Sequence, residues 1–279
     1  MEKWRKYSLT FLAATLCLLA TGCTYKYPLK YKLNGRDIVK AQSSVHLKVQ
    51  VAALADLRPS AEMNKDDRVK QGDRDAGDYT YDNEFTPDMS RQISEMIIKH
   101  VNYSGIFDTP VSLAPYASNQ ISDTRLDELA KSGVDAVMTG EIQHFFGYYD
   151  RKLGRELLYG VPLGLASAAV TMVASAAATG GFLYVCTTAP GAYLGLYLES
   201  LHHRRIEKSC VLSVRLTSTK TYQPIWEDKL EVTSDERTSM PGATATKRKF
   251  QLATTALREA VNKMVEHMQK SGVDALRAL

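Results

Sequence analysis

The residue with the most distinctive chemistry in this sequence is Cys23, because of the residues that precede it. Met1–Lys6 is basic, Leu9–Ala20 is apolar but too short for a normal membrane span, and small residues follow it up to Gly22. This arrangement is typical of a secretory signal peptide. Small side chains let the backbone enter a peptidase cleft, and the Cys thiol is a nucleophile. We therefore predict that residues 1–22 are a signal peptide cleaved between Gly22 and Cys23.

The segment Ala20-Thr21-Gly22-Cys23 resembles the lipobox of bacterial lipoproteins, in which the Cys becomes the lipidated first residue of the mature chain. That family usually has Leu three positions before the Cys; here Ala20 stands there and Leu19 is one position earlier. Each buried acyl CH₂ contributes roughly 0.8 kcal/mol, so several acyl chains would anchor the protein firmly. Because Thr24 rather than Asp follows Cys23, the resemblance implies the outer membrane, with the protein facing the periplasm. The alternatives are an ordinary secretory signal or an uncleaved anchor.

Length and charge are those of a folded domain. Removing residues 1–22 from the 279 leaves 257, enough for one large domain or two small ones. The net charge of the chain is +4, and the first 22 residues carry three basic residues and one acid. The mature chain is therefore near +2, a balance that does not favour nucleic-acid binding.

We find no phosphate-binding loop, nucleophile elbow or zinc-protease helix. The sequence therefore predicts a protein that is not an enzyme and that holds no metal and no cofactor other than the lipid. His202-His203 would point to opposite faces of a strand and favours a basic collar over a metal pair. Cys186 and Cys210 could form a disulfide in an oxidising periplasm or remain two buried thiols.

Three charged residues stand out beside the apolar strand patterns. Asp56 and Arg58 lie two residues apart at the end of the first predicted strand, a spacing that favours a structural ion pair over a binding site. Glu141 lies on an otherwise apolar strand, where Lys48 or Arg58 could be its partner.

Hydrophobic periodicity predicts strands alternating with helices. Predicted strands are Val45–Leu57, Ile106–Val111, Val134–Tyr149, Val211–Thr217 and Pro224–Thr233. Predicted helices start at Thr86-Pro87-Asp88, start at Asp123 or Thr124, and span Thr246–Lys270. Ser60–Thr80 is polar and charge-dense, which indicates a disordered loop or a flexible lid. We predict an α/β (α+β) fold, a mixed sheet with helices packed on it.

The predicted organisation divides the chain into five parts. After the signal peptide, residues 23–44 form a tether, either solvated or resting on lipid head groups. Residues 45–150 and 206–279 form the α/β domain. Residues 151–205, inserted after the third predicted strand, form an apolar hairpin.

The segment Leu157–Leu198 contains no charged residue, and Gly180-Gly181 divides it into two arms that could each cross about 30 Å of hydrocarbon as a helix. Three interpretations remain open: a helical hairpin inserted in a membrane, a hairpin buried between subunits or against the domain, and a membrane β-hairpin contributed to an oligomer. So large an apolar surface would aggregate if it were exposed to water. The candidate membrane-contact residues are Leu163, Leu165, Val170, Val173, Phe182, Tyr184, Tyr193 and Leu194.

Three segments together resemble the periplasmic α/β domain shared by the TolB N-terminal domain, the lipoprotein activators of penicillin-binding proteins and the curli-secretion channel lipoprotein. They are Val49–Pro59, Gly133–Gln143 and Val211–Val232, and the resemblance covers about two-thirds of the mature chain. In the curli channel family a membrane β-hairpin leaves the sheet at the position where the uncharged segment follows Gly140-Glu141-Ile142. The segment here is longer and Ala-rich, and no functional residue is carried over.

These observations predict a non-enzymatic outer-membrane lipoprotein that assembles or regulates a cell-envelope machine. Its partners would be membrane lipid and an envelope protein of unknown identity, and it could form a homo-oligomer. The alternative is an oligomeric envelope pore or secretion component that uses residues 157–198 as its membrane element. An envelope hydrolase with an unrecognised site is the third hypothesis.

Overall fold

A computed structural model of the chain describes residues 26–33, 36–73, 75–150, 204–239 and 245–271. Its centre is a mixed sheet of six strands in the order β3-β1-β4-β5-β6, with the short β2 paired to β4 beyond β1. The strands are β1 (Val49–Ala53), β2 (Ala55–Asp56), β3 (Ser112–Ala117), β4 (Ala136–Tyr149), β5 (Arg204–Ser218) and β6 (Pro224–Thr238). The predicted fold class is confirmed.

Five α-helices accompany the sheet in the described part of the chain. They are α1 (Ser60–Met63), α2 (Lys65–Lys70), α3 (Met89–Ser104), α4 (Asp123–Lys131) and α5 (Ala245–Ser271). Single 3₁₀ turns are at Ala76–Asp78, Asp82–Glu84 and Ser118–Gln120.

The main core lies between one face of the sheet and the helices α3 and α5. Alternate residues of β1, β4, β5 and β6 meet the apolar stripes of both helices there. The helix α4 covers the start of β4 on the opposite face, where Leu126 and Leu129 pack on Val137. The apolar stripes read from the sequence are therefore core, as predicted.

Strand directions define two ends of the sheet. β1, β3 and β4 are parallel to one another, and β5 is antiparallel to both β4 and β6. Pairing of β4 with β5 runs from Ala136–Ser218 to Tyr149–Ile206. We call the end that contains Tyr149 the β4–β5 end and the end that contains the Thr219–Gln223 turn the far end. Residues 151–203 join β4 to β5 at the β4–β5 end.

Helix boundaries follow local chemistry. Asp88, rather than the predicted Thr86, caps α3: it adopts a left-handed conformation (φ 63°), and the Arg91 N–H donates to its side chain. Gly105 ends α3 with φ 74°, where an L side chain would be strained. Gly133 does the same after α4 with φ 75°, as the sequence predicted.

Two predicted elements are wrong. The edge strand is Ser112–Ala117 rather than Ile106–Val111; Pro115 within it obscured the strand pattern, and an edge is where a proline is tolerated. The predicted loop 60–80 contains α1 and α2, and polar contacts rather than an apolar stripe hold it. The predicted Val211–Thr217 and Pro224–Thr233 strands are each longer, and the turn between them is confirmed.

Candidate membrane-anchoring end of the domain

The residues that follow the predicted lipidation site do not run through solvent. Residues 26–33 and 36–41, which we call the strap, lie along α3 and α5. Leu29 is 3% exposed and Ile38 is 5% exposed. The Tyr27 ring stacks on Phe250 with 4.2 Å between centroids. A solvated tether is therefore the wrong description of these residues, because their apolar side chains complete the helical core.

The beginning of the strap is fixed at the N-terminal end of α3. The Tyr27 N–H donates to the Glu84 carbonyl at 2.8 Å, and the Thr86 N–H donates to the Tyr27 carbonyl at 3.0 Å. Four residue steps separate Cys23 from Tyr27, which span at most about 14 Å. A lipid on Cys23 would therefore lie close to this point of the domain.

A buried arginine holds the loop that receives the strap. Arg58, 4% exposed, donates from Nε to Asp56 Oδ1 at 2.9 Å and from Nη2 to Asp56 Oδ2 at 2.6 Å. The same Nη2 donates to Asp82 at 3.1 Å. Burial alone would lower the pKa of Arg58, but the two carboxylates outweigh it and raise that pKa. The predicted Asp56–Arg58 ion pair is confirmed, and it ties β2 to the turn before Glu84.

A buried polar network holds the middle of the strap. Tyr31 Oη lies 2.8 Å from His100 Nδ1, and His100 Nε2 lies 2.9 Å from Asn262 Oδ1. The Val39 N–H donates to the same Asn262 oxygen at 3.0 Å, and Asn262 Nδ2 donates to the Asp37 carbonyl at 2.8 Å. A neutral His100 protonated on Nε2 satisfies every one of these groups. Burial lowers the pKa of His100 to about 4, which favours this neutral form.

Aromatic side chains cluster where β4 ends. Tyr79 forms an antiparallel bridge with Tyr148, and the centroids of their rings are 4.6 Å apart. Phe146 meets Tyr79 edge-to-face at 5.5 Å, and the Arg68 guanidinium lies 3.6 Å from the Tyr79 centroid. Burial raises the pKa of Tyr79 to about 12. This cluster attaches α2 to the outer face of the sheet.

The start of α5 meets the same end of the sheet. Lys249 Nζ donates to the Tyr79 carbonyl at 2.6 Å and to Glu84 Oε1 at 2.7 Å. Arg248 donates to the Tyr149 hydroxyl. The Lys249 side chain therefore joins the aromatic cluster to the turn on which the strap begins. The strap start, the end of β4, the start of β5 and the start of α5 all converge on the β4–β5 end.

A buried carboxylate, Glu62, joins α1 to β4. Glu62 accepts from the Phe145 N–H at 3.1 Å, and its other oxygen lies 2.6 Å from His144 Nδ1. The β4 register shifts between Ile142 and His144, and next to this bulge Glu62 satisfies the Phe145 backbone N–H. Lys48 and Arg58, suggested above as partners of Glu141, are bonded elsewhere.

The predicted lipidation and cleavage residues, Gly22 and Cys23, lie outside the described residues. The same holds for the predicted membrane contacts, Leu163, Leu165, Val170, Val173, Phe182, Tyr184, Tyr193 and Leu194. His202, His203 and Cys186 are also outside them. Cys210 is a fully buried free thiol of β5, and burial raises its pKa.

In the part of the chain that the structure describes, no helix combines the length and apolarity that crossing a membrane requires. Within the same ranges, no three His, Cys, Asp or Glu side chains are grouped so as to hold a metal ion. The absence of metal and of enzymatic activity stays a prediction.

Sequence reasoning missed the residues that seat the strap. His100 lies on the same helical face as Ile93 and Ile97, where a polar side chain needs a buried partner. A polar residue on this apolar face could therefore have been predicted to need a buried partner. The role of Asn262 could not have been predicted, because its partners lie more than 160 residues away in the chain.

No family model and no curated protein matches this chain. Solved structures resemble it weakly. A Xanthomonas campestris protein of family DUF330 is 9% identical with a TM-score of 0.43, covering 88% of this chain and 95% of that one. The PelC dodecamer from Paraburkholderia phytofirmans is 10% identical with a TM-score of 0.33, covering 78% and 89%. Lipoprotein GNA1162 from Neisseria meningitidis is 9% identical with a TM-score of 0.32, covering 80% and 98%.

At these identities and TM-scores the matches carry no argument about function. They include a protein named as a lipoprotein, and the resemblance to the TolB, penicillin-binding-protein activator and curli-channel group stays a prediction.

Proposed function

We propose that this chain is a lipid-anchored, non-enzymatic component of a bacterial cell envelope. It is held on the outer membrane by acyl chains on Cys23, faces the periplasm, and assembles or regulates an envelope machine. One observation carries the proposal. The strap begins at the β4–β5 end, which is also the end where the uncharged segment leaves and re-enters the sheet.

The spacing along the chain supports this orientation. Cys23 precedes Tyr27 by four residues. Leu157 follows the end of β4 by eight residues, and Leu198 precedes the start of β5 by six. The two most apolar parts of the mature protein, the acyl chains and the uncharged segment, are thus attached to one end of the domain. One bilayer could receive both without any change in the fold.

Mass spectrometry of the mature N-terminus tests the lipid anchor. We expect cleavage after Gly22 and an acylated Cys23, and we expect Cys23→Ser to move the protein out of the membrane fraction. Cys186→Ser is the matched control and should leave the protein in that fraction. An unmodified Cys23 in a correctly folded, membrane-bound protein would contradict the proposal.

An internal deletion tests whether the uncharged segment is an insertion. The antiparallel pairing of β4 with β5 continues to Tyr149–Ile206, so a short linker in place of residues 157–198 leaves all described contacts in place. We expect the shortened protein to fold with unchanged circular dichroism and to bind membranes less tightly. Unfolding of the shortened protein would show that the segment belongs to the core.

The alternative function, an oligomeric pore or secretion component, has one observation in its favour. Because β4 and β5 stay paired to Tyr149 and Ile206, the two points at which residues 151–203 are attached lie on neighbouring antiparallel strands, the arrangement that a hairpin needs. The molar mass of the protein extracted in mild detergent separates the two functions. A defined ring of copies supports the pore, whereas a monomer contradicts it.

A further inference from the structure

We infer that the strap is a releasable latch that decides which end of the domain faces the membrane. When it is docked, Cys23 is held at the β4–β5 end. When it is released, the chain becomes free back to Val45, and the anchor then reaches the domain from its far end. This inference rests on the proposed lipid anchor.

The path of the strap explains why its release would move the attachment point of the anchor. Tyr27 lies beside Phe85 and Phe250, near the starts of α3 and α5. The Ala41 N–H donates to the carbonyl of Ser104, the last residue of α3. The strap thus runs the length of α3 towards the far end, and its next fixed residue is Val45, whose N–H donates to Ile106.

Release would change both the reach and the direction of the anchor. Twenty-two residue steps separate Cys23 from Val45, a flexible chain of roughly 25 Å root-mean-square length and at most about 75 Å. The two attachment points are separated by about the length of α3, whose 16 residues span about 24 Å. While the strap is docked, Cys23 can lie at most about 14 Å from Tyr27.

The contacts of the strap favour release as one unit. It forms no strand ladder within the sheet, and side chains satisfy two of its backbone N–H groups: Gln92 accepts from Leu29 at 3.0 Å and Asn262 accepts from Val39 at 3.0 Å. Leu29 and Ile38 are its buried apolar residues, and four more pack partly buried against the core: Tyr27, Tyr31, Val39 and Ala41. By contrast, β4 and β5 pair along their whole length. The strap therefore has far fewer contacts to break than the sheet.

The outer surface of the strap is basic. Lys26, Lys30, Lys32, Arg36 and Lys40 are exposed. The one acid on the strap, Asp37, is bonded by Arg258 at 3.0 Å. A released strap would be a flexible cationic segment, and the solvation of these side chains changes little on undocking. Undocking therefore costs the His100 and Asn262 contacts, the stacking of Tyr27 on Phe250 and the burial of the apolar side chains of the strap.

Amide hydrogen exchange on the full acylated protein in nanodiscs measures the latch directly. In the wild-type protein we expect the amides of residues 29–41 to be protected, and to exchange together at least tenfold faster than those of β4 and β5. Asn262→Ala removes the acceptor of Val39 and should accelerate exchange in the strap tenfold or more while leaving the sheet unchanged. Gln251→Ala, an exposed amide on the same helix, is the matched control and should change neither.

Two results would overturn the latch. Strap amides that exchange only together with the sheet, in wild type and variant alike, would make the strap part of the core. Strap amides that exchange without any protection would make it a linker. If Asn262→Ala unfolds the protein, the same exchange measurement is made on Arg258→Ala, which removes only the bond to Asp37. The same two results would then overturn the latch. An unacylated Cys23 would refute the anchor and leave the exchange result intact, so the two failures are distinguishable.

Discussion

Arg58 links β2 to the turn on which the strap begins, the point near which a lipid on Cys23 would be held. Its guanidinium joins β2 to Asp82, and Glu84 of the same turn accepts from Tyr27 at the start of the strap. The spacing of Asp56 and Arg58 predicts an ion pair within one short segment. In the fold this pair also binds Asp82, and through the turn that contains Glu84 it is connected to the start of the strap.

Replacing Arg58 should therefore destabilise the protein strongly. Arg58→Ala removes the hydrogen bonds of a buried guanidinium to two partly exposed carboxylates, and we expect the free energy of unfolding to fall by about 2–3 kcal/mol. Urea unfolding of the mature protein measures this. Arg91→Ala is the control, because Arg91 forms an exposed pair with Glu95 and its loss should cost less than about 0.5 kcal/mol. Equal effects of the two substitutions would contradict the role given to Arg58.

His100 makes stability depend on pH in a defined window. Its pKa is about 4 in the folded protein against 6.5 for an ordinary His, because burial disfavours the cation. Between these values the unfolded chain binds more protons, so the free energy of unfolding should fall as the pH drops from 6.5 to about 4. The groups that face His100 are Tyr31, Asn262 and Arg258.

Unfolding free energies of wild type and His100→Gln across this range provide the test. The variant should lose the part of the pH dependence that His100 causes. His46 supplies a control of opposite sign: its hydrogen bond to Asp108 raises its pKa, so its stabilisation is present at low pH and disappears as the pH rises. Parallel pH profiles for wild type and His100→Gln would refute the buried neutral His.

At the scale of elements, the predictions succeeded where hydrophobic periodicity agrees with the residues that start and end helices. The helix Asp123–Lys131 begins at Asp123, as predicted, and has Leu126 and Leu129 buried and Gly133 beyond its end. The edge strand with Pro115 and the strap with Leu29 and Ile38 were missed. Neither has a regular period, because an edge tolerates proline and a strap packs without secondary structure. Tertiary packing alone defines both.

The close approach of α5 to β4 depends on Gly147. A Cβ at this position would overlap the Lys249 carbonyl and lie 2.9 Å from the Ala253 nitrogen, both atoms of helix backbone. Gly147→Ala should push α5 away and cost about 2–3 kcal/mol, read as a lower melting temperature. Gly77→Ala is the matched control, since its Cβ would meet only the end of the Lys65 side chain at 4.0 Å. Equal melting temperatures for both variants would show that α5 is not packed this closely.

At the scale of the whole molecule, strand direction restricts how copies could assemble. β6 runs towards the β4–β5 end, because Thr238 pairs with Arg204. Two copies joined by antiparallel β6 edges would therefore point their β4–β5 ends in opposite directions. Copies anchored in one membrane by those ends must instead be related by an axis along the membrane normal. Any pore formed by this chain would need that arrangement.

Much less of the candidate site than of the fold could be predicted. A signal segment and a lipidated Cys23 can be predicted from local sequence, because the peptidase and the transferase that would act on them recognise local sequence. Which end of the domain such a lipid would reach is a long-range property, set by contacts such as Tyr27 with Phe250 and Asp37 with Arg258. No local pattern encodes them, because their partners are more than 200 residues apart in the chain.

The orientation of the domain on a bilayer is the central claim, and one fluorescence measurement tests it. Asp75→Cys and Thr221→Cys place a fluorophore at the β4–β5 end and at the far end, on exposed residues of an otherwise Cys186→Ser protein. In proteoliposomes that contain a head-group quencher, we predict strong quenching at position 75 and little at position 221. Equal quenching at both positions, or stronger quenching at 221, would contradict the account.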